Sequence, residues 1–294
     1  LGIDAYIALE EHRSCAGAAV DMLRADGWDG KIIDVNEALA LMTRKTLLVV
    51  VDTHKSSFVD FPTLYEKASA TVVIDHHRKS VDHIKDALIF FHDPNASSTC
   101  EMVTELMRYI TPAPTLSPVE AQAMLAGIML DTKEFVLSTG VRTFEAAAFL
   151  KGKGADTVAV KRLFSNSIES NRKRSEIISA AHIYRGCAIA CTAPGTENAR
   201  LLSAQAADEL LEVSGVKASF VIFDSGKDSV NISARSYGDL NVQIIMEYLG
   251  GGGHRTMAAA QLTGVNMEEA KSKLCEAIDA KYPRTDGEEP TPIS

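Results

Sequence analysis

Hydrophobic residues are distributed along this chain in two rhythms. One is short and unbroken, as in Leu47-Leu48-Val49-Val50-Val51 and Val72-Val73-Ile74. Apolar, β-branched runs of that length predict buried strands of a parallel sheet. The other returns every three or four residues, as in Met102, Val103, Leu106 and Ile110, and predicts an amphipathic helix. Residues 58–70 supply a loop and a helix between the two strands, and strand, crossover, strand is the arithmetic of a parallel sheet. Ile89-Phe90-Phe91 predicts a further strand, leading into the polar run from His92 to Thr99. Free backbone amides at such a helix start can hold an anion.

The flanking elements follow from their punctuation. Residues 3–9 read as a short strand, and residues 15–24 as a helix ending before Gly27. Asp34 or Asn36 caps a helix leading to Met42. Pro112, Pro114 and Pro118 mark a turn, after which Ser117-Pro118-Val119-Glu120 opens the helix that delivers Asp131 and Thr132. Another helix covers 139–152. Residues 155–184 are helical and mixed in charge, and beyond them strands are expected at 187–192, 218–223 and 230–235, with helices at 206–213, 241–249 and 267–280. The expected class is therefore α/β: a parallel-sheet domain over 1–154, a helical linker over 155–184, a smaller α/β domain over 185–282 and a disordered polar tail over 283–294. No internal repeat is visible.

Length and charge narrow the functions. A chain of 294 residues has room for two domains. A net charge of −9 argues against broad electrostatic binding to duplex nucleic acid, so an anionic substrate would need a local cationic patch or bound cations. The 5 cysteines are odd in number and lack a CxxC pair, which suits buried thiols in a reducing compartment. Cys187 and Cys191 share one face of a strand, too few ligands for zinc. No apolar run reaches the length of a membrane span and no signal peptide is present, so no membrane contact is expected from this segment.

The strand ends carry the chemistry. Val72-Val73-Ile74 stops at Asp75-His76-His77-Arg78, the first strand stops at Asp52-Thr53-His54-Lys55, and an apolar helix stops at Asp131. Ligands of open α/β sheets gather at such ends. Taken singly, Asp52 and Asp131 could equally cap the next helix. Two imidazoles beside a carboxylate at the end of a strand have few structural uses and point to a metal. Acid-rich sites with limited imidazole suit Mn²⁺ or Mg²⁺ rather than zinc, and two such ions about 4 Å apart can activate water against a phosphate ester. By composition Gly250-Gly251-Gly252-Gly253-His254-Arg255 is a flexible linker, and by its place after an apolar helix it is a phosphate-binding loop. Arg235 is either a solvated edge residue or a phosphate fork.

At these residues the chain resembles the DHH phosphoesterases with their DHH-associated second domain, most closely the cyclic-di-AMP phosphodiesterase branch. Asp52-Thr53-His54, Asp75-His76-His77, Asp131-Thr132 and the Gly250–Gly253 run with His254 carry the likeness, which spans nearly the whole chain. The resemblance implies two Mn²⁺ ions, with Mg²⁺ as a substitute, bridged by Asp52 and held further by His76 and Asp131. It implies catalytic roles for His77, facing the scissile phosphate, and for Asp75, orienting His76. Arg235, Gly250, Gly251, Gly252, Gly253 and His254 would bind a cyclic dinucleotide, and His54 would be a ligand or a support for one. The implied reaction opens cyclic-di-AMP to pApA. The alternatives are a nanoRNA or pAp phosphatase of the same fold and a nucleotide-binding module without catalysis. The resemblance also implies a segment of a membrane-anchored bacterial protein on the cytoplasmic side, open to homodimerisation. Family members open with a His-x-x-x-Asp-x-Asp segment that supplies three more ligands. It is not found here, since Asp4 lies too near Asp52, and the expectation is a truncated chain with impaired metal binding.

Overall fold

A computed structural model of the chain describes residues 3–10, 16–110, 115–226 and 228–283. Cys15, the prolines 112 and 114, and the tail beyond 283 lie outside the described residues. The chain divides into two units, Leu1–Ser165 and Asn166–Ser294.

In the first unit, β1 (Ile7–Ala8) pairs in parallel with β2 (Ile32–Ile33), with α1 (Gly17–Leu23) between them. Asp34 caps α2 (Val35–Leu41), accepting from the amides of Asn36 and Glu37. Then β3 (Leu47–Val51), α3 (Pro62–Lys67), β4 (Ala70–Asp75) and β5 (Ile89–His92) build a parallel sheet of order β3-β4-β5. Val50, Val73 and Ile84 form a core on one face; Ile74, Ala96 and Met102 form another with α4 (Thr99–Ile110). A helical core joins α5 (Pro118–Asp131), α6 (Val141–Gly152) and α7 (Thr157–Leu163) through Leu125, Ile128, Leu150 and Val160. Helices α4 and α5 meet closely: a Cβ on Gly127 would lie 2.3 Å from Cys100 Sγ.

One expectation needs correction. β3 is not a buried strand, because Leu47, Val49 and Val51 are 50%, 46% and 51% exposed while Val50 is buried. Successive side chains leave opposite faces, and among the described residues β3 pairs with β4 alone. An unbroken apolar run therefore does not guarantee cover on both sides.

The second unit begins with α8 (Ile168–Ser179), so the stretch expected as a linker is divided: Ala155 and Val160 lie in a core of the first unit, Ile177 in one of the second. Its mixed sheet has the order β10-β11-β9-β8-β7-β6. The strands are β6 (His182–Tyr184), β7 (Cys187–Cys191), β8 (Ala218–Asp224), β9 (Ser229–Ser236), β10 (Gly252–Gly253) and β11 (Met257–Thr263), and β7–β8 is the parallel pair. Phe220, Ile232, Ile245 and Leu274 pack one face under α10 (Val242–Tyr248) and α11 (Met267–Lys281). On the other face, α9 (Ala199–Leu210) buries Leu202, Ala206 and Leu210 against Val221. Strand β11 was not legible in the sequence, and α9 starts seven residues before the expected 206. The chain is α/β with parallel sheets, as its patterning predicts. Among the described residues no helix is long and apolar enough to cross a membrane.

Candidate metal centre

Asp52 follows the last residue of β3 with φ 63°, a left-handed conformation that a residue with a Cβ adopts at a cost. Its amide donates to Ile74 O at 3.0 Å. The Thr99 hydroxyl, at the start of α4, donates to its Oδ1 at 2.9 Å. The strained turn is thus held from both sides. It sets the carboxylate over the carboxyl ends of β3 and β4.

His76 follows β4, and its Nδ1 lies 3.3 Å from Ala96 O, an acceptor that places the ring proton there. Its Nε2 is then a lone pair, 3.5 Å from Asp52 Oδ1 and 3.6 Å from Asp131 Oδ2. That nitrogen is buried with no hydrogen-bond partner among the described residues. Asp52, His76 and His77 each bring a ligand atom within 4.8 Å of the others. Asp131 arrives on the last residue of α5. Beyond it, Thr132 accepts from Phe135 N at 2.9 Å and donates to Ile128 O at 2.7 Å, anchoring a left-handed run at Lys133, Glu134 and Phe135.

Burial, and then the charge of Asp52, push the Asp131 carboxyl up to about 6. Two carboxylates that repel each other around an unpartnered imidazole nitrogen form a donor set that a divalent cation satisfies. Asp52, His76 and His77 are the group whose ligand atoms lie close enough together for one such ion, and Asp131 Oδ2 stands 3.6 Å from the same His76 Nε2.

Asp75, fully buried, is arranged otherwise than the resemblance implies. Its carboxylate takes no hydrogen bond from His76. It accepts from His77 Nδ1 at 2.7 Å and His77 N at 3.2 Å through Oδ1, and from His54 Nδ1 through Oδ2. Alternation explains the correction, since residues 75 and 77 leave one side of the extended chain and residue 76 the other. Burial raises the Asp75 carboxyl, but the bonds from His77 and His54 prevail and hold it well below the carboxylate range. The Asp75 bond in turn raises His77 above the ordinary imidazole value, against its burial, aided by the charges of Asp75, Asp52 and Asp131.

In the second unit the four glycines have different reasons to be glycine. Gly250, at φ 79°, terminates α10: Gly250 N donates to Glu247 O at 3.0 Å and Gly251 N to Met246 O at 2.8 Å, the paired bonds of a left-handed helix stop. A Cβ on Gly251 would lie 2.2 Å from Ala259 O, and one on Gly253 2.5 Å from Ala258 Cα. Both are bare because β11 passes against them. Only at Gly252, among these four, would a Cβ meet open space without a positive φ. His254 is exposed and turns the chain, its amide donating to Met257 O at 2.6 Å. Arg235 stands opposite Met257 in the β9–β11 ladder. Its Nε donates to Asp208 Oδ1 at 3.1 Å and its Nη1 to Ala234 O at 2.9 Å, leaving the side chain 12% exposed. The sheet therefore brings Arg235 and the Gly253–His254 corner into one neighbourhood, with Arg235 already partnered.

Sequence reasoning gave no role to two supports that lie in segments of the resemblance, Thr99 on Asp52 and Arg142. Arg142 donates to both Glu105 oxygens at 2.7 and 2.6 Å and to Asp93 at 2.7 Å, tying the start of α6 to α4 and to the loop after β5. An arginine in the first turn of a helix, two residues after its glycine cap, was the available signal.

An α/β protein with a carboxylate–imidazole cluster at its strand ends is the class defined so far. The chain belongs to the DHH family: residues 5–128 match the DHH family N-terminal domain and residues 188–282 the DHHA1 domain. It is 50% identical over 256 residues to the cyclic-di-AMP phosphodiesterase GdpP of Geobacillus thermodenitrificans, covering 87% of this chain and 39% of that protein. To GdpP of Bacillus subtilis it is 46% identical over 255 residues, covering 86% of this chain and 39% of that protein. The chain thus spans about two fifths of the length of these relatives. Among solved structures, an exopolyphosphatase-related protein from Bacteroides fragilis shares the fold, with a TM-score of 0.74 at 20% identity over 90% of this chain and 81% of that one.

Proposed function

We propose that the chain is the hydrolytic portion of a cyclic-di-AMP phosphodiesterase that opens the ring to pApA, with Mn²⁺ at Asp52, His76 and Asp131. The observation that carries this reading is the buried, unpartnered Nε2 of His76, flanked at 3.5 and 3.6 Å by two carboxylates from separate elements. The similarity to the two relatives supports the choice of substrate. When bound, the cations would supply positive charge to the phosphoryl oxygens and lower the pKa of the attacking water.

The chain's own groups account for the rest. Attack of water on phosphorus breaks a P–O3′ bond, and the departing oxygen needs a proton. We assign that role to His77: Nδ1 is bound to Asp75, which leaves Nε2 for a leaving group, and the raised pKa supports a protonated ring. Arg235, Gly252 and His254 are our choice for gripping a phosphate in the second unit, Arg235 being the weakest because Asp208 already neutralises it.

Turnover of cyclic-di-AMP, pApA and pAp compared side by side, with Mn²⁺ and with a chelator, tests the reading. Chelator-sensitive release of pApA from cyclic-di-AMP is expected; preference for pAp would favour the phosphatase alternative, and binding without turnover a non-catalytic module. The Asp131 carboxyl gives a pH signature. A proton must leave it for the cation, so Mn²⁺ affinity measured by calorimetry should be steady above about 7 and fall as pH drops through about 6. Affinity unchanged between pH 7.5 and 5.5 would remove Asp131 from the ligands. The same reading assigns the chain to a longer, membrane-anchored bacterial protein facing the cytoplasm, for which fractionation of cells expressing the whole gene is the test.

A further inference from the structure

We propose that His54 is a positioning residue for His77, acting through the shared Asp75 carboxylate. His54 is 2% exposed and both ring nitrogens are engaged. Nε2 lies 3.0 Å from the amide of Ser80, and an amide can only donate, so Nε2 is the lone pair and Nδ1 carries the proton. The hydrogen bond from Nδ1 to Asp75 Oδ2 therefore has a fixed direction. With Oδ2 occupied, the plane of the carboxylate is set and Oδ1 is turned to His77, which donates to it from Nδ1 at 2.7 Å and from its backbone at 3.2 Å. His77 is in turn obliged to present Nε2 away from Asp75. One buried carboxylate thus orders two imidazoles, one inside the fold and one at the site.

His54 also anchors the chain that follows His77. Its carbonyl accepts from Ile84 N at 2.8 Å, so residues 80 and 84 both attach to it, and Ile84 enters the core with Val50 and Val73. The ring of His92 stands edge-on to His54 at 5.5 Å, and His92 Nε2 lies 2.5 Å from His77 O. The bland alternative is a core histidine that merely satisfies its neighbours. The two bonds of the ring separate these readings, because they can be removed one at a time.

Asparagine puts an amide near the place of Nδ1, where it can donate to Asp75; glutamine puts one near Nε2, where it can accept from Ser80 but leaves Asp75 Oδ2 unpaired. With cyclic-di-AMP as substrate, His54→Asn is expected within about threefold of wild-type kcat, while His54→Gln loses about 10–100-fold with KM within about twofold. Equal kcat in the two variants, or a change carried by KM, would overturn the proposal. So would loss of the fold in both, which would mark His54 as a packing residue. The kinetic arm rests on the proposed phosphodiesterase activity, so a second readout is taken without substrate or metal. In ¹⁵N-histidine spectra recorded at a pH high enough for the ring to be neutral, His77 should be the Nδ1–H tautomer in wild type and His54→Asn, and a mixture in His54→Gln. If wild-type chain turns over no nucleotide, the functional reading fails and these spectra still decide the role of His54; an unchanged His77 signal in His54→Gln refutes it.

Discussion

Replacing Asp52 by glycine is expected to cost on the order of 10³-fold in turnover while leaving the chain about 1 kcal/mol more stable than the Asp52→Ala variant. The two substitutions remove the same carboxylate, and with it a proposed ligand and the acceptor for Thr99. They differ in the backbone. At φ 63° a Cβ is strained and glycine is not, a difference of about 1–2 kcal/mol that the greater freedom of glycine in the unfolded chain brings down to about 1 kcal/mol. Both variants also remove the charge of Asp52, which after burial is the second cause of the raised Asp131 carboxyl. Denaturant unfolding of the two variants, alongside phosphodiesterase rates, checks the pair. Equal stability of Gly and Ala would mean that the left-handed turn stores no strain; retained turnover in either would exclude Asp52 from the metal centre.

The second large effect lies in the glycine run, and it separates folding from binding. Gly251→Ala is expected to destabilise the chain by about 3 kcal/mol, since the new methyl group would press into the backbone of Ala259 and Ala260, which cannot swing aside as a side chain could. Gly252→Ala should change stability by less than about 0.5 kcal/mol, for its Cβ would point into open space. A several-fold rise in KM at Gly252→Ala, with the melting temperature unmoved, is then the signature of a ligand that approaches the backbone there. An unaffected KM would leave the run with a purely architectural role. Substituting the whole run at once would confuse the two causes.

These positions explain what was and was not legible in the sequence. The strands ending at Asp52 and Asp75 stood out because β-branched runs are rare outside sheets; the sheet sets Asp52 beside His76, and helix α5 carries Asp131 to within 3.6 Å of the same His76 nitrogen. The partners of Asp75 did not stand out: the resemblance implied His76, whereas Asp75 is bonded by His77, two residues on, and by His54 from the neighbouring strand end. Strand β11 was hidden because Met257-Ala258-Ala259-Ala260 has the composition of a helix. Its small side chains have a use visible only in three dimensions, admitting Gly251 and Gly253 at contact distance. Exposure along β3 was equally invisible, because hydropathy records what a side chain prefers and not whether a neighbour is there to cover it.

The bare contact between α4 and α5 reaches further than the helices themselves. Gly127 stands four residues, about one helical turn or 6 Å, before Asp131, and Cys100 occupies the place its side chain would take. Two of the three proposed ligands follow strands paired in one ladder, whereas the third rides on α5. The thickness of a single missing methyl group thus acts as the spacer that calibrates how far the third oxygen stands from the other two.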